Sequence, residues 1–193
     1  MKFPVGCRRL LPMLCILCLL FSGCGGSAGP GERHLHTLAG KAFTAVCDTR
    51  LTSGGVESTY TLALCHADGQ TEVVVQAPEA HAGISVRVDG DAELIWEDVQ
   101  LVIPGGEAHI SLFSLLHSLA ESLTGGTADT YLRERREGED VITALCPAKI
   151  GEDELSHRIS VTAKGGIPIE SHSSAADGTT LYCRWMEFTL QEG

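Results

Sequence analysis

The chain has little positive charge and few aromatics. Across 193 residues, 14 Lys and Arg stand against 25 Asp and Glu, and aromatics make up 5%. The first scarcity excludes nucleic-acid partners, because binding phosphate needs a basic patch or stripe. The one basic cluster is Arg133, Arg135 and Arg136, interrupted by Glu134 and followed by Glu137. It reads as a solvated strand face. The second scarcity leaves few large rings to line a roomy apolar cavity. No apolar run is long enough to cross a bilayer as a helix, and there is no internal repeat.

Catalytic and metal-binding patterns are also scarce. There is no His-Glu-x-x-His. His34 and His36 lie at a domain edge, where two close imidazoles hold a metal only weakly. His66 follows Cys65, so strand alternation sends the two to opposite faces, which argues against a shared metal. His109 and His117 are eight residues apart, not the four of a helical ligand pair, and are expected to face solvent. The acidic pairs Glu97-Asp98 and Glu139-Asp140 fall at turns and read as solvated. The sequence therefore calls for no metal, no cofactor and no catalytic residue, and binding is expected in place of catalysis.

What is present begins at the N-terminus. Lys2, Arg8 and Arg9 precede the apolar run Leu10 to Phe21, and Ser22-Gly23-Cys24 follows. A charged stretch, a short apolar stretch and a small-residue cleavage region make a secretory signal. Leu-Phe-Ser-Gly-Cys resembles the bacterial lipoprotein box, which implies cleavage after residue 23 and lipidation of Cys24. Two acyl chains such as palmitate anchor stably, since each buried methylene contributes roughly 0.8 kcal/mol. The expected organisation is a signal peptide over residues 1–23, a lipidated Gly/Ser-rich tether over 24–31 and one domain over 32–193. The expected location is the outer face of the cell membrane. Removing the signal leaves 11 basic and 25 acidic residues, a body charge of about −14. That sign disfavours a body lying flat on anionic lipid. Cys47, Cys65, Cys146 and Cys183 remain; three disulfide pairings are open to them, as is a role as small buried hydrophobes.

The body reads as strands. Alternation and turn residues place them at 41–51, 60–65, 71–76, 84–88, 92–96, 99–103, 130–135, 141–146, 157–162, 168–172 and 180–190. Asp89-Gly90 is a strong hairpin signal, and Pro78 ends the third strand. Between the sixth and seventh strands, residues 108–123 carry Leu112, Leu115, Leu116, Leu119 and Leu123 at helical spacing. His109, Ser114, His117, Ser118 and Glu121 face away from that stripe. A second, short helix is expected from Glu32 to Ala39, ended by Gly40. The fold class is mainly β: a curved antiparallel sheet or open half-barrel covered by one or two helices.

The run Val73-Val74-Val75-Gln76-Ala77-Pro78-Glu79, continuing through Gly83-Ile84 to Asp89-Gly90, resembles the LolA/LolB lipoprotein-carrier superfamily. So does the ending, Gly166-Ile167-Pro168-Ile169-Glu170 and a last strand closing at Leu190. The likeness is to lipidated members of the Gram-positive type. It implies a concave face able to hold acyl chains or a partner's peptide. The arginine that holds the lid in classical carriers has no counterpart that can be placed here.

Two roles follow. In the first, a membrane-anchored lipoprotein buries a hydrophobic ligand, the acyl chains of a lipid or lipoprotein, between sheet and helix. Leu62, Leu64, Trp96, Leu112, Leu116 and Leu119 are its candidate contacts. In the second, the same fold with its cavity filled is a non-enzymatic scaffold for an envelope or cell-wall enzyme, of the kind that serves sporulation and germination. Trp96 and Trp185 are expected in the core.

Overall fold

The computed structural model describes Leu35 and residues 37–104, 110–125 and 127–191. The signal, Cys24, the tether, His34, His36 and His109 lie outside the described residues. Eleven strands form: β1 (Phe43–Ser53), β2 (Val56–Ala67), β3 (Gln70–Ala77), β4 (Ser85–Asp89), β5 (Asp91–Trp96), β6 (Val99–Ile103), β7 (Thr130–Arg136), β8 (Glu139–Ile150), β9 (Asp153–Thr162), β10 (Pro168–Ala175) and β11 (Thr180–Leu190). One helix, α1 (Leu112–Gly125), lies between β6 and β7. Every expected strand is present, several of them longer than the alternation alone marked. Near the start, Leu35 is helical and 37–40 form a turn; Gly40, at φ +67°, takes the left-handed conformation that ends it.

All strands belong to one antiparallel sheet in the order β6-β5-β4-β3-β2-β1-β11-β10-β9-β8-β7. The sheet is open. It is two meanders joined where β1 pairs with β11, from Phe43 opposite Leu190 to Thr52 opposite Thr180. Each hairpin turn carries a residue of positive φ; at Asp68-Gly69 both residues do, whereas at Asp89-Gly90 only Gly90 does and Asp89 closes β4 opposite Asp91.

Helix α1 touches β3 and β4 on one side of the sheet and β8 and β9 on the other. Four strands separate β3 from β9 in the sheet order. One helix reaches both groups only because the sheet curls around it. The natural twist of antiparallel strands supplies that curl. The inward side chains follow strict alternation: Phe43, Ala45 and Cys47 on β1; Leu62 and Leu64 on β2; Val73 and Val75 on β3; Leu181, Cys183 and Trp185 on β11. They meet Leu112, Leu115, Leu116, Leu119 and Leu123 of α1 in one hydrophobic core.

Candidate functional site

The apolar layer between α1 and the sheet comes first, because the leucine stripe faces it. Leu115, Leu116, Leu119 and Leu123 are 0% exposed, as are Leu62 and Val73. Leu64 and Leu112 are also buried. Five of the six expected contacts, Leu62, Leu64, Leu112, Leu116 and Leu119, therefore come together in a single layer, and that layer is closed. Trp96 does not join them. It ends β5, next to edge strand β6, and is 45% exposed. The expectation that it packs in the core is corrected. Helix α1 packs chiefly on β3, β4, β8 and β9, and β5 lies one strand further toward the margin. Trp185, on central β11, is buried and donates its indole N–H to Ser171 Oγ at 2.9 Å.

Two polar clamps hold the helix, one on each flank. On the β9–β10 side, His157 is wholly buried. Its Nε2 lies 2.9 Å from Ser118 Oγ and its Nδ1 lies 2.7 Å from Ser173 Oγ. Burial lowers the His157 pKa to about 4, so the ring is neutral. A neutral ring has one N–H and one bare nitrogen; one serine hydroxyl donates to the ring and the other accepts from it. Ser118–His157 is a hydroxyl–imidazole contact of the kind used for nucleophilic catalysis. Here the third partner is a hydroxyl instead of a carboxylate, and the base is weak. The contact does the work of a clamp. Ser118 was expected to face away from the stripe; it is buried because the curled sheet also reaches the helix flank.

On the β2–β3 side, Thr71 Oγ1 bridges two imidazoles, at 2.9 Å from His66 Nδ1 and 2.9 Å from His117 Nδ1. Thr71 stands opposite His66 in the β2–β3 register. His66 Nε2 lies 3.3 Å from Thr124 Oγ1 and 3.6 Å from Glu121 Oε1. Phe43 stacks on the His66 ring at 5.6 Å. Gly40 N–H donates to the Thr124 carbonyl at 2.9 Å, tying off the helix end. Burial lowers the pKa of both histidines, and the Glu121 carboxylate partly opposes it. His117 is thus half-buried and bonded, where solvent exposure was expected. His66 does point away from Cys65, as alternation requires, but its partners come from the helix. One ligand atom each from His66, His117 and Glu121 lie within 4.8 Å of one another. No residue pattern announced this group. His117 and Glu121 are four apart, a same-face spacing, but His66 is 51 residues upstream and only the fold brings it in.

Two clefts flank these clamps. One, of about 480 Å³, runs along Ser114, His117, Ser118 and Glu121 toward β8. The other, of about 280 Å³, lies at the helix end beside His66 and Glu121. Glu121 borders both.

Other expected features resolve simply. The four body cysteines are free thiols. Cys47 on β1 and Cys183 on β11 are diagonal neighbours, opposite Trp185 and Thr49, and their hydrogen bond, with burial, pushes Cys183 well above the ordinary thiol range. Arg133 pairs with Asp140 at 2.6 Å, and Arg136 pairs with Glu134 and Glu170. These exposed pairs are the solvated face that the charge pattern suggested. None of the described helices is long and apolar enough to cross a membrane.

No family model matches the chain, and no curated protein matches it. Solved structures do align with most of it. An uncharacterised conserved protein from Thermus thermophilus matches with a TM-score of 0.50 at 7% identity, over 86% of this chain and 89% of that one. A LolA superfamily protein from Nitrosomonas europaea matches at 0.47 and 9% identity, over 86% and 94%. The lipoprotein LppX of Mycobacterium tuberculosis matches at 0.42 and 10%, over 84% and 95%. At these identities the likeness is one of fold.

Proposed function

We propose that this chain is a lipoprotein tethered through Cys24 to the outer face of the cell membrane, and that it works by burying the acyl chains of a lipid or lipoprotein between α1 and the sheet. The observation that carries the reading is the leucine stripe of α1, laid along the inside of a curled, open sheet. Because the layer is closed, the helix must withdraw for a ligand to enter. Re-exposing five leucines costs roughly 8–15 kcal/mol at 1.5–3 kcal/mol each. A chain of about sixteen carbons regains roughly 12 kcal/mol at 0.8 kcal/mol per methylene. In the complex the acyl chains cover the leucines again, so the exposure cost bears on opening the layer and the burial of the ligand drives binding.

The test is native mass spectrometry of the body from Gly25 onward, purified without detergent. The expected result is a co-purifying mass in the lipid range, released by organic solvent. A clean apo mass that stays apo after incubation with diacyl lipid would overturn the reading.

A second reading, the envelope scaffold, has its own observation. Edge strand β6 leaves Val99, Leu101, Val102 and Ile103 exposed, next to Trp96. A monomer rarely leaves such an edge uncovered, since its free backbone groups invite a further strand. Capture of an envelope enzyme that is lost on substituting Leu101 and Ile103 with lysine would favour this role.

A further inference from the structure

We infer that His66, His117 and Glu121 form a binding site for a divalent transition cation of the zinc type, which bolts α1 to the β2–β3 hairpin. Two imidazoles and one carboxylate are a standard donor set for zinc, with a fourth position left to water or an outside ligand. Nitrogen donors select zinc, copper, nickel or iron over magnesium and calcium. Ligand atoms around tetrahedral zinc lie about 3.3–3.5 Å apart, given bonds of about 2.0–2.1 Å. His66 Nε2 and Glu121 Oε1 are already at 3.6 Å, and the whole set lies within 4.8 Å. A small rotation of half-exposed Glu121 and half-buried His117 closes the remainder, while His66 is held by Phe43 and Thr71.

The surroundings fit the same role. Thr71 Oγ1 has two lone pairs and can accept an N–H from each imidazole Nδ1, which leaves His117 Nε2 and, in exchange for its 3.3 Å contact with Thr124 Oγ1, His66 Nε2 as ligands. An acceptor at the far nitrogen fixes the tautomer and orientation of a metal-bound histidine, and here a hydroxyl stands where a carboxylate, carbonyl or water is more usual. Asp89, at the end of β4, adds negative potential beside His117. The two clefts that meet at Glu121 give an entry path from solvent. The other clamp offers a contrast: among the described residues, the hydrogen-bond partners of His157 are the hydroxyls of Ser118 and Ser173.

The test uses the full-length protein extracted in detergent, stripped with a chelator and titrated with Zn²⁺ and, separately, Co²⁺. A His34→Ala/His36→Ala double variant is run in parallel. One equivalent of Zn²⁺ should bind, raise the melting temperature and, as Co²⁺, give the visible absorption of a four-coordinate site, in both backgrounds. Glu121→Gln and His117→Ala should each weaken binding by at least about tenfold, and Thr71→Val by about 10- to 100-fold. Melting of the metal-free variants checks their folding, and Glu121→Gln is the decisive one because its side chain is half exposed. Absence of Zn²⁺ uptake would overturn the site. So would uptake that survives both Glu121→Gln and His117→Ala, or that disappears with His34 and His36.

Discussion

The two clamps on α1 use the same residue type for opposite ends. His157 is sealed from water, hydrogen-bonded at both nitrogens by serines and kept neutral by burial. His66 and His117 share one threonine, face a carboxylate and border open clefts. Local sequence does not separate them, since all three histidines sit on ordinary strand or helix positions. The differences are the presence of an anion and access to water. A histidine among hydroxyls in a dry layer only holds; two histidines and a glutamate beside solvent can respond to what the solvent carries.

The sharpest way to break this comparison is to remove the dry clamp. His157→Ala leaves a cavity and strands Ser118 and Ser173, and should cost about 3–5 kcal/mol of stability. Urea unfolding reads this directly. His117→Ala, in the metal-free protein, should cost clearly less, because its ring is partly solvated.

Acid separates the clamps next. The folded-state pKa of His157 is about 4 against an ordinary value of 6.5. Below pH 6.5 the unfolded chain takes up a proton that the folded chain refuses. Stability is therefore complete above pH 6.5, falls as pH drops toward 4, and loses about 3 kcal/mol over that window from His157 alone. His66 and His117 are shifted in the same direction and add to the loss. Unfolding midpoints followed from pH 7 to pH 4 should flatten in His157→Asn but keep the part owed to the pair. An unchanged slope in that variant would assign the titration elsewhere. The smallest effect belongs to Trp96→Ser. With its ring half in water at the sheet margin, the change should stay within about 0.5 kcal/mol, whereas Trp185→Ser, on central β11, should cost several times more.

That last pair also shows how far the sequence could be read. Turn dipeptides and alternation mark all eleven strands, because those signals act over a few residues. The leucine stripe marks α1 for the same reason. Whether a strand's inward face is covered depends on its place in the sheet order. Trp96 and Trp185 look alike locally and differ only because β5 lies near the margin and β11 at the centre. The metal-type cluster was hidden by distance along the chain. The four-residue spacing of His117 and Glu121 was visible, yet it gains meaning only when β2 delivers His66 to the same helix face.

The pairing of β1 with β11 has a mechanical consequence. A load entering from the N-terminal side meets β1 at Phe43, in the middle of the sheet, hydrogen-bonded to β2 on one side and β11 on the other. Those bonds run across the strands, so a pull along β1 shears both rows together instead of unzipping them one by one. A force entering at Phe43 therefore meets the domain at a seam where two rows of hydrogen bonds must break together.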